Sequence, residues 1–169
     1  MMERYIFLDF DGVITTEKSG FSLDPDKCQI IQDIIDKTNA YIIVTSSWRK
    51  YHTVDSFKEK LYLQDNHYIP FTPTWTNRII GLTIDSGTII QASQMGLHIP
   101  RGSEIDHYLD NKEPFKSKIC GIDYQYVIID DDADILYYQY PHFIQTNSLD
   151  GISSNDAIRA INILNSKTE

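Results

Sequence analysis

Three short apolar runs constrain this chain more than any other feature: Tyr5-Ile6-Phe7-Leu8, Tyr41-Ile42-Ile43-Val44 and Tyr126-Val127-Ile128-Ile129. Each is continuous and rich in β-branched and aromatic side chains, the pattern of a strand buried on both faces of a parallel sheet. His142-Phe143-Ile144-Gln145 reads as a fourth strand, and the stretch from Arg78 to Ile84 as a further candidate. Helical patterns lie between them. Asp24 followed by Pro25 marks a helix start, with Ile31, Ile34 and Ile35 on one face before an end near Thr38. Val54, Phe57 and Leu61 place a second helix, Ser103 to Leu109 a third, and Ser153 caps a last one carrying Ala157, Ile158, Ile161 and Leu164. Strands alternating with helices predict a doubly wound, mostly parallel α/β sheet. The 169 residues suit a single domain, 1–169, with an elaborated insert at about 49–100.

Composition narrows the function classes. The apolar fraction of 41% and aromatic fraction of 12% belong to a packed globular chain. A formal net charge of −9 disfavours extended nucleic-acid binding and docking on anionic membrane. A small phosphorylated substrate stays open, because a bound divalent cation dominates its local field. No apolar stretch approaches the ~20 residues of a membrane span, and the N-terminus lacks the pattern of a signal peptide. The two cysteines, Cys28 and Cys120, have no metal-ligand spacing and read as reduced thiols. The expectation is a soluble cytoplasmic protein.

In open α/β sheets, ligands sit beyond the carboxyl ends of the strands. Polar residues gather at those ends here. Asp9 and Asp11 follow the first strand, Thr45, Ser46 and Ser47 the second, and Asp130, Asp131, Asp132 and Asp134 the third. Side chains two apart on an extended segment share a face, so Asp9 and Asp11 point together while Phe10 turns away. Two carboxylates so close do not both ionise cheaply without a cation. The pair suits a division of labour, one attacking and the other holding a proton. The acidic run at 130–134 reads either as a solvated turn or as the oxygen ligands of a magnesium site. Thr45-Ser46-Ser47 reads as a helix cap, as a phosphate cradle, or as both. Arg101, a cation at a helix start, opposes the macrodipole and calls for a reason, although a surface arginine is the bland alternative. An EF-hand loop starting at Asp9 is excluded, since Ile14 and Gly20 occupy its glycine and glutamate positions. The five histidines show no metal spacing.

These four pieces, in this order, resemble the motifs of the haloacid dehalogenase superfamily. Asp9, Asp11 and Val13 match its Asp-x-Asp-x-Thr/Val motif, Thr45 its second-motif hydroxyl, Arg101 its basic residue, and Asp130-Asp131 its acidic pair. A closer similarity is to the capless phosphatase domains of nucleic-acid repair proteins of the polynucleotide kinase-phosphatase type. It rests on Val44-Thr45-Ser46-Ser47-Trp48-Arg49, on Arg101-Gly102-Ser103-Glu104-Ile105, and on Tyr126 to Asp131. The loop from Thr15 to Asp24 is too short for a full cap.

The resemblance implies a magnesium-dependent phosphatase with a Rossmann-like fold. Asp9 would be the nucleophile and Asp11 the acid/base. Thr45, Ser46 and Arg101 would bind phosphate. Mg2+ would be held by Asp9, Asp11 (through its carbonyl), Asp130 and Asp131, with Asp134 behind them. The presence of Asp11 favours phosphate-ester hydrolysis over carbon–halogen chemistry, which has no leaving alcohol to protonate. A non-catalytic phosphate- or magnesium-binding module and a phosphotransferase are the competing readings. The substrate is a small phosphorylated metabolite or a nucleotide or nucleic-acid end, the latter unsupported by charge. Trp48, Tyr51, Trp75 and Arg78 either stack on a base or pack the core.

Overall fold

In the computed structural model, residues 2–64, 67–83, 91, 94–111 and 124–166 are described. The core is a five-stranded, all-parallel sheet in the order β3-β2-β1-β4-β5. Its strands are β1 (Glu3–Leu8), β2 (Tyr41–Val44), β3 (Ile79–Leu82), β4 (Tyr124–Asp130) and β5 (Phe143–Gln145). The helices are α1 (Pro25–Thr38), α2 (Val54–Leu63), α3 (Arg101–Asn111) and α4 (Ser154–Asn165). This is the doubly wound, Rossmann-like α/β architecture expected, and no large cap domain is present among the described residues. No helix among them is long and apolar enough to cross a membrane.

Alternation along the strands divides the core into two layers. Ile6, Leu8, Ile42, Val44, Val127, Ile129 and Ile144 face one side. There they meet α1 through Ile31, Ile34 and Ile35, α2 through Phe57 and Leu61, and α4 through Ala157, Ala160 and Leu164. Tyr5, Phe7, Ile43, Tyr126 and Ile128 face the other side and meet Ile105, Tyr108 and Leu109 of α3. Each fully buried Leu, Ile or Phe side chain contributes roughly 1.5–3 kcal/mol relative to exposure, so both layers hold the strand ends rigidly.

Local chemistry sets the helix ends. Asp24 accepts hydrogen bonds from Asp26 and Lys27 amides at the start of α1, and Asn39 ends it in the left-handed conformation (φ 57°). Thr53 and Ser56 form a reciprocal capping box at α2, as Ser153 and Asp156 do at α4. Some boundaries differ from those read in the sequence. Helix α3 begins at Arg101, not at Ser103, because Asp134 of a distant loop caps it: its Oδ2 accepts the Arg101 amide at 3.3 Å. Strand β5 begins at Phe143, since His142 closes the preceding 3₁₀ turn. On α4, Ile158 is exposed and Ala160 takes the buried position. The 49–100 region supplies α2 and β3 to the layered core, and Trp75 is buried there, its indole donating to the Cys28 carbonyl at 3.0 Å. Ile84 and Cys120 lie outside the described residues.

Strand order reverses between β1 and β4: the chain runs outward through β2 and β3, then returns to the other side of β1. Such a switch point opens a crevice at the carboxyl ends of the two strands. Asp9 directly follows β1 and Asp130 ends β4, so both stand on it.

Candidate active site

Carboxylate oxygens of Asp9, Asp130 and Asp131 all lie within 4.8 Å of one another. Asp9 and Asp130 are buried, and Asp131 is half-buried. Main-chain bonds fix the strand ends that carry them, Asp9 N–H to Ile129 O at 3.0 Å and Thr146 N–H to Asp130 O at 3.0 Å. Burial pushes the Asp9 carboxyl up from its ordinary value, and the Arg101 guanidinium, the Phe10 amide and the Ser46 hydroxyl pull against that rise. Burial and the neighbouring Asp9 raise Asp130 to about 7. Burial also raises Asp131. Concentrated negative charge with few compensating donors is the electrostatic signature of a cation or catalytic site.

Arg101 is the counter-charge. Its Nε donates to Asp130 Oδ2 at 3.0 Å, its Nη2 lies 3.6 Å from Asp9 Oδ2, and its Nη1 reaches both Glu104 and the Thr45 carbonyl. Burial works against the charge on Arg101, yet Asp9, Asp130 and Glu104 outweigh it and hold the guanidinium above its ordinary value. The unfavourable place of a cation at a helix start thus has its reason in three carboxylates.

Thr45 extends β2 by one residue, its amide bonded to the Leu8 carbonyl at 2.9 Å, and so stands beside Asp9. Its hydroxyl is buried and has no hydrogen-bond partner among the described residues. A buried orphan hydroxyl costs about 1–3 kcal/mol, which a bound acceptor would recover. Ser46 is buried and takes two roles, accepting the Trp48 amide at 3.3 Å to cap the 3₁₀ turn Ser47–Arg49 and bonding to Asp9.

Asp11 stands apart from the acidic trio. Its Oδ1 accepts the Thr15 hydroxyl at 2.9 Å and the Trp48 indole N–H at 3.0 Å. Asp134 does not join the trio either; it caps α3 and contacts His98 Nε2 at 2.7 Å. Asp132 is exposed, its amide bonded to Asp130 Oδ1 at 3.0 Å.

Two residues at the site went unassigned in the sequence: Arg49 and Glu104. Both are buried, paired through Nη2 and Oε2 at 2.5 Å. Arg49 also donates to the Ser46 carbonyl at 2.7 Å and to the Thr45 carbonyl, so it fixes the second-strand loop from beneath. Burial lowers its guanidinium to about 10 against the raising effect of Glu104. The available signal was their place in the strings Val44 to Arg49 and Arg101 to Ile105, which carry the resemblance but give neither residue a role. A cleft of about 270 Å³ opens beside Arg101, lined in part by Ser47, Lys50, His98, Ile99 and Asp134.

Gly12 makes the turn after Asp11 with φ +70°, and a Cβ there would lie 2.2 Å from Asp131 Oδ2. Gly12→Ala is expected to lower stability by about 1–2 kcal/mol from the left-handed backbone alone. It must also push Asp131 aside. Chemical denaturation measures the effect, and an unchanged midpoint would contradict this close approach.

A parallel α/β sheet with three aspartates gathered at its switch point defines a Rossmann-like domain whose crevice carries a carboxylate cluster able to hold a metal ion. More specifically, the chain belongs to the haloacid dehalogenase (HAD) superfamily: the family described as "HAD domain in Swiss Army Knife RNA repair proteins" matches residues 5–157. Comparison with curated proteins and with solved structures returned no match.

Proposed function

We propose that this chain is a magnesium-dependent phosphatase that hydrolyses a phosphate monoester through an aspartyl-phosphate intermediate. The observation that carries this reading is the buried Thr45 hydroxyl, which has no hydrogen-bond partner among the described residues, on a residue whose carbonyl accepts from Arg101 and whose amide bonds to Leu8 just before Asp9. A phosphate oxygen supplies the acceptor that Thr45 lacks and the anion that suits Arg101.

Asp9 attacks phosphorus, and an acyl-phosphate bond forms as the ester P–O bond breaks. Asp11 gives its proton to the departing alcohol. It then takes one from the water that cleaves the acyl phosphate, returning both carboxyls to their starting state. Thr45 and Arg101 hold the equatorial oxygens, where negative charge spreads in the transition state. The all-oxygen cluster of Asp9, Asp130 and Asp131 fits a hard divalent cation, with the Asp11 carbonyl as a further donor. Bound there, magnesium supplies charge neutralisation between the carboxylates and the incoming phosphate. The match to a domain of RNA repair proteins supports a nucleotide or nucleic-acid end as substrate. The net charge of −9 favours contact with a small phosphorylated group over an extended polyanion.

The test is turnover of an aryl phosphate with and without magnesium. Expected is activity dependent on the cation, and a thermal midpoint that rises with magnesium concentration as ligand linkage requires. Magnesium binding without turnover of any ester in a panel of nucleotides, sugar phosphates and 3′-phosphorylated oligonucleotides would leave a binding module. Phosphate transfer to added alcohols would reveal a phosphotransferase.

A further inference from the structure

We infer that Trp48 is a positioning residue for Asp11, holding the acid/base so that its proton is carried on Oδ2; this rests on the phosphatase reading above. The Trp48 indole N–H donates to Asp11 Oδ1 at 3.0 Å, and the Thr15 hydroxyl lies 2.9 Å from the same oxygen. An indole N–H only donates. An oxygen that takes this obligate donor serves as the acceptor oxygen of the carboxyl, so the acidic proton sits on the other one. Oδ2 is thereby reserved for the leaving alcohol and, later, for the attacking water.

The indole is itself well held. Its ring packs on buried Phe10 at 5.5 Å between centroids, and Phe10 in turn contacts Phe57 and Trp75 of the core. The Lys60 ammonium lies 5.3 Å from the Trp48 ring centroid, within cation–π range. The Ser46 cap fixes its backbone. Thr15 is fully buried, its carbonyl accepting the Gly12 amide at 2.8 Å, and its hydroxyl also reaches the Phe10 carbonyl at 3.2 Å. Asp11 is therefore clamped from both sides of the chain: by its own turn through Thr15 and by the second-strand loop through Trp48. Phe10, turned away from the carboxylates, is the packing platform that links the nucleophile segment to the loop bearing Trp48.

General-acid assistance matters in proportion to how poor the leaving group is, and that separates positioning from packing. Trp48→Phe keeps an aromatic ring on Phe10 while removing the N–H together with part of the indole's bulk. The measurement is kcat/KM, which covers steps up to departure of the alcohol, for two esters of similar size. Benzyl phosphate releases an alkoxide that needs a proton, whereas 2,4-dinitrophenyl phosphate releases a phenolate that does not. The ratio of kcat/KM for the dinitrophenyl ester over the benzyl ester is expected to rise about tenfold or more in Trp48→Phe. Thr15→Val should move the ratio the same way, and Thr15→Ser should restore it. An equal loss on both esters in Trp48→Phe and Thr15→Val, or no loss on either, overturns the positioning role while leaving the phosphatase reading intact. Absence of turnover of both esters by the unmodified protein removes the phosphatase reading and this role together.

Discussion

Asp9→Asn is expected to reduce phosphate-ester turnover by at least about 10⁴-fold, in line with the removal of a covalent nucleophile elsewhere. The amide keeps the shape of the carboxylate and an oxygen able to accept the Phe10 N–H, which bonds to Asp9 Oδ1 at 2.8 Å. It has no comparable nucleophilicity toward phosphorus. Stability should hold within about 1 kcal/mol, because the lost attraction to Arg101 is set against relief of a buried charge crowded by Asp130 and Asp131. The variant therefore separates chemistry from folding. Thermal denaturation alongside the turnover assay checks both halves, and a well-folded Asp9→Asn protein with full turnover sinks the covalent mechanism.

The largest effect on stability is expected at Glu104, which lies at no reacting atom. Its carboxylate accepts from Arg49 at 2.5 Å and lies 3.3 Å from Arg101 Nη1, and Thr83 Oγ1 donates to it at 3.3 Å. Glu104→Ala would leave two guanidinium groups facing each other with a negative partner removed. Breaking a buried pair from one side costs about 3–5 kcal/mol. For a chain of this size that corresponds to a fall in Tm of roughly 10 °C. Glu104→Gln retains an acceptor oxygen and should lose less. Removing both partners, as in Arg49→Met with Glu104→Leu, should cost less than Glu104→Ala, because no orphaned charge remains. Calorimetric or fluorimetric melts decide the ordering, and a single-variant loss below about 1 kcal/mol would contradict it.

The same cluster links stability to the site. Arg49 and Arg101 both donate to the Thr45 carbonyl, and Arg101 continues to Asp130. Loss of Glu104 thus frees two cations next to the loop of Thr45, Ser46 and Ser47. The same end of helix α3 is tied in further, since Gly102 N–H donates to the Asp134 carbonyl at 2.8 Å and buried Gln139 donates to the Gly102 carbonyl at 3.0 Å. A Cβ on Gly102 would meet Leu136 N at 2.3 Å, so the loop after β4 packs directly on the start of α3.

How much of this the chain declares unaided follows from the range of each interaction. Strand type is local: continuous runs such as Tyr126 to Ile129 have a single stable use, burial on both faces. Asp9, Thr45 and Asp130 announce themselves because each directly follows such a run, Asp11 because it lies two residues on from Asp9, and strand ends in an open parallel sheet define its crevice. Helix starts with their own caps, at Asp24, Thr53 and Ser153, are equally local. Helix α3 carries no cap of its own, and its start was misplaced by two residues because the capping carboxylate, Asp134, lies 33 positions away.

By itself, then, the sequence determined the sheet, its wrapping helices and the identities of the acidic residues that gather at the switch point, since these depend on periodicity and on near neighbours. Only the tertiary structure decided how those residues divide. It set Asp9, Asp130 and Asp131 together and turned the Asp11 side chain to Thr15 and Trp48. It gave Arg101 three carboxylates to hold, and buried Arg49 against Glu104 across 55 positions of chain. The physical reason is that hydrogen bonds and ion pairs act over about 3 Å in space, whatever the distance along the chain.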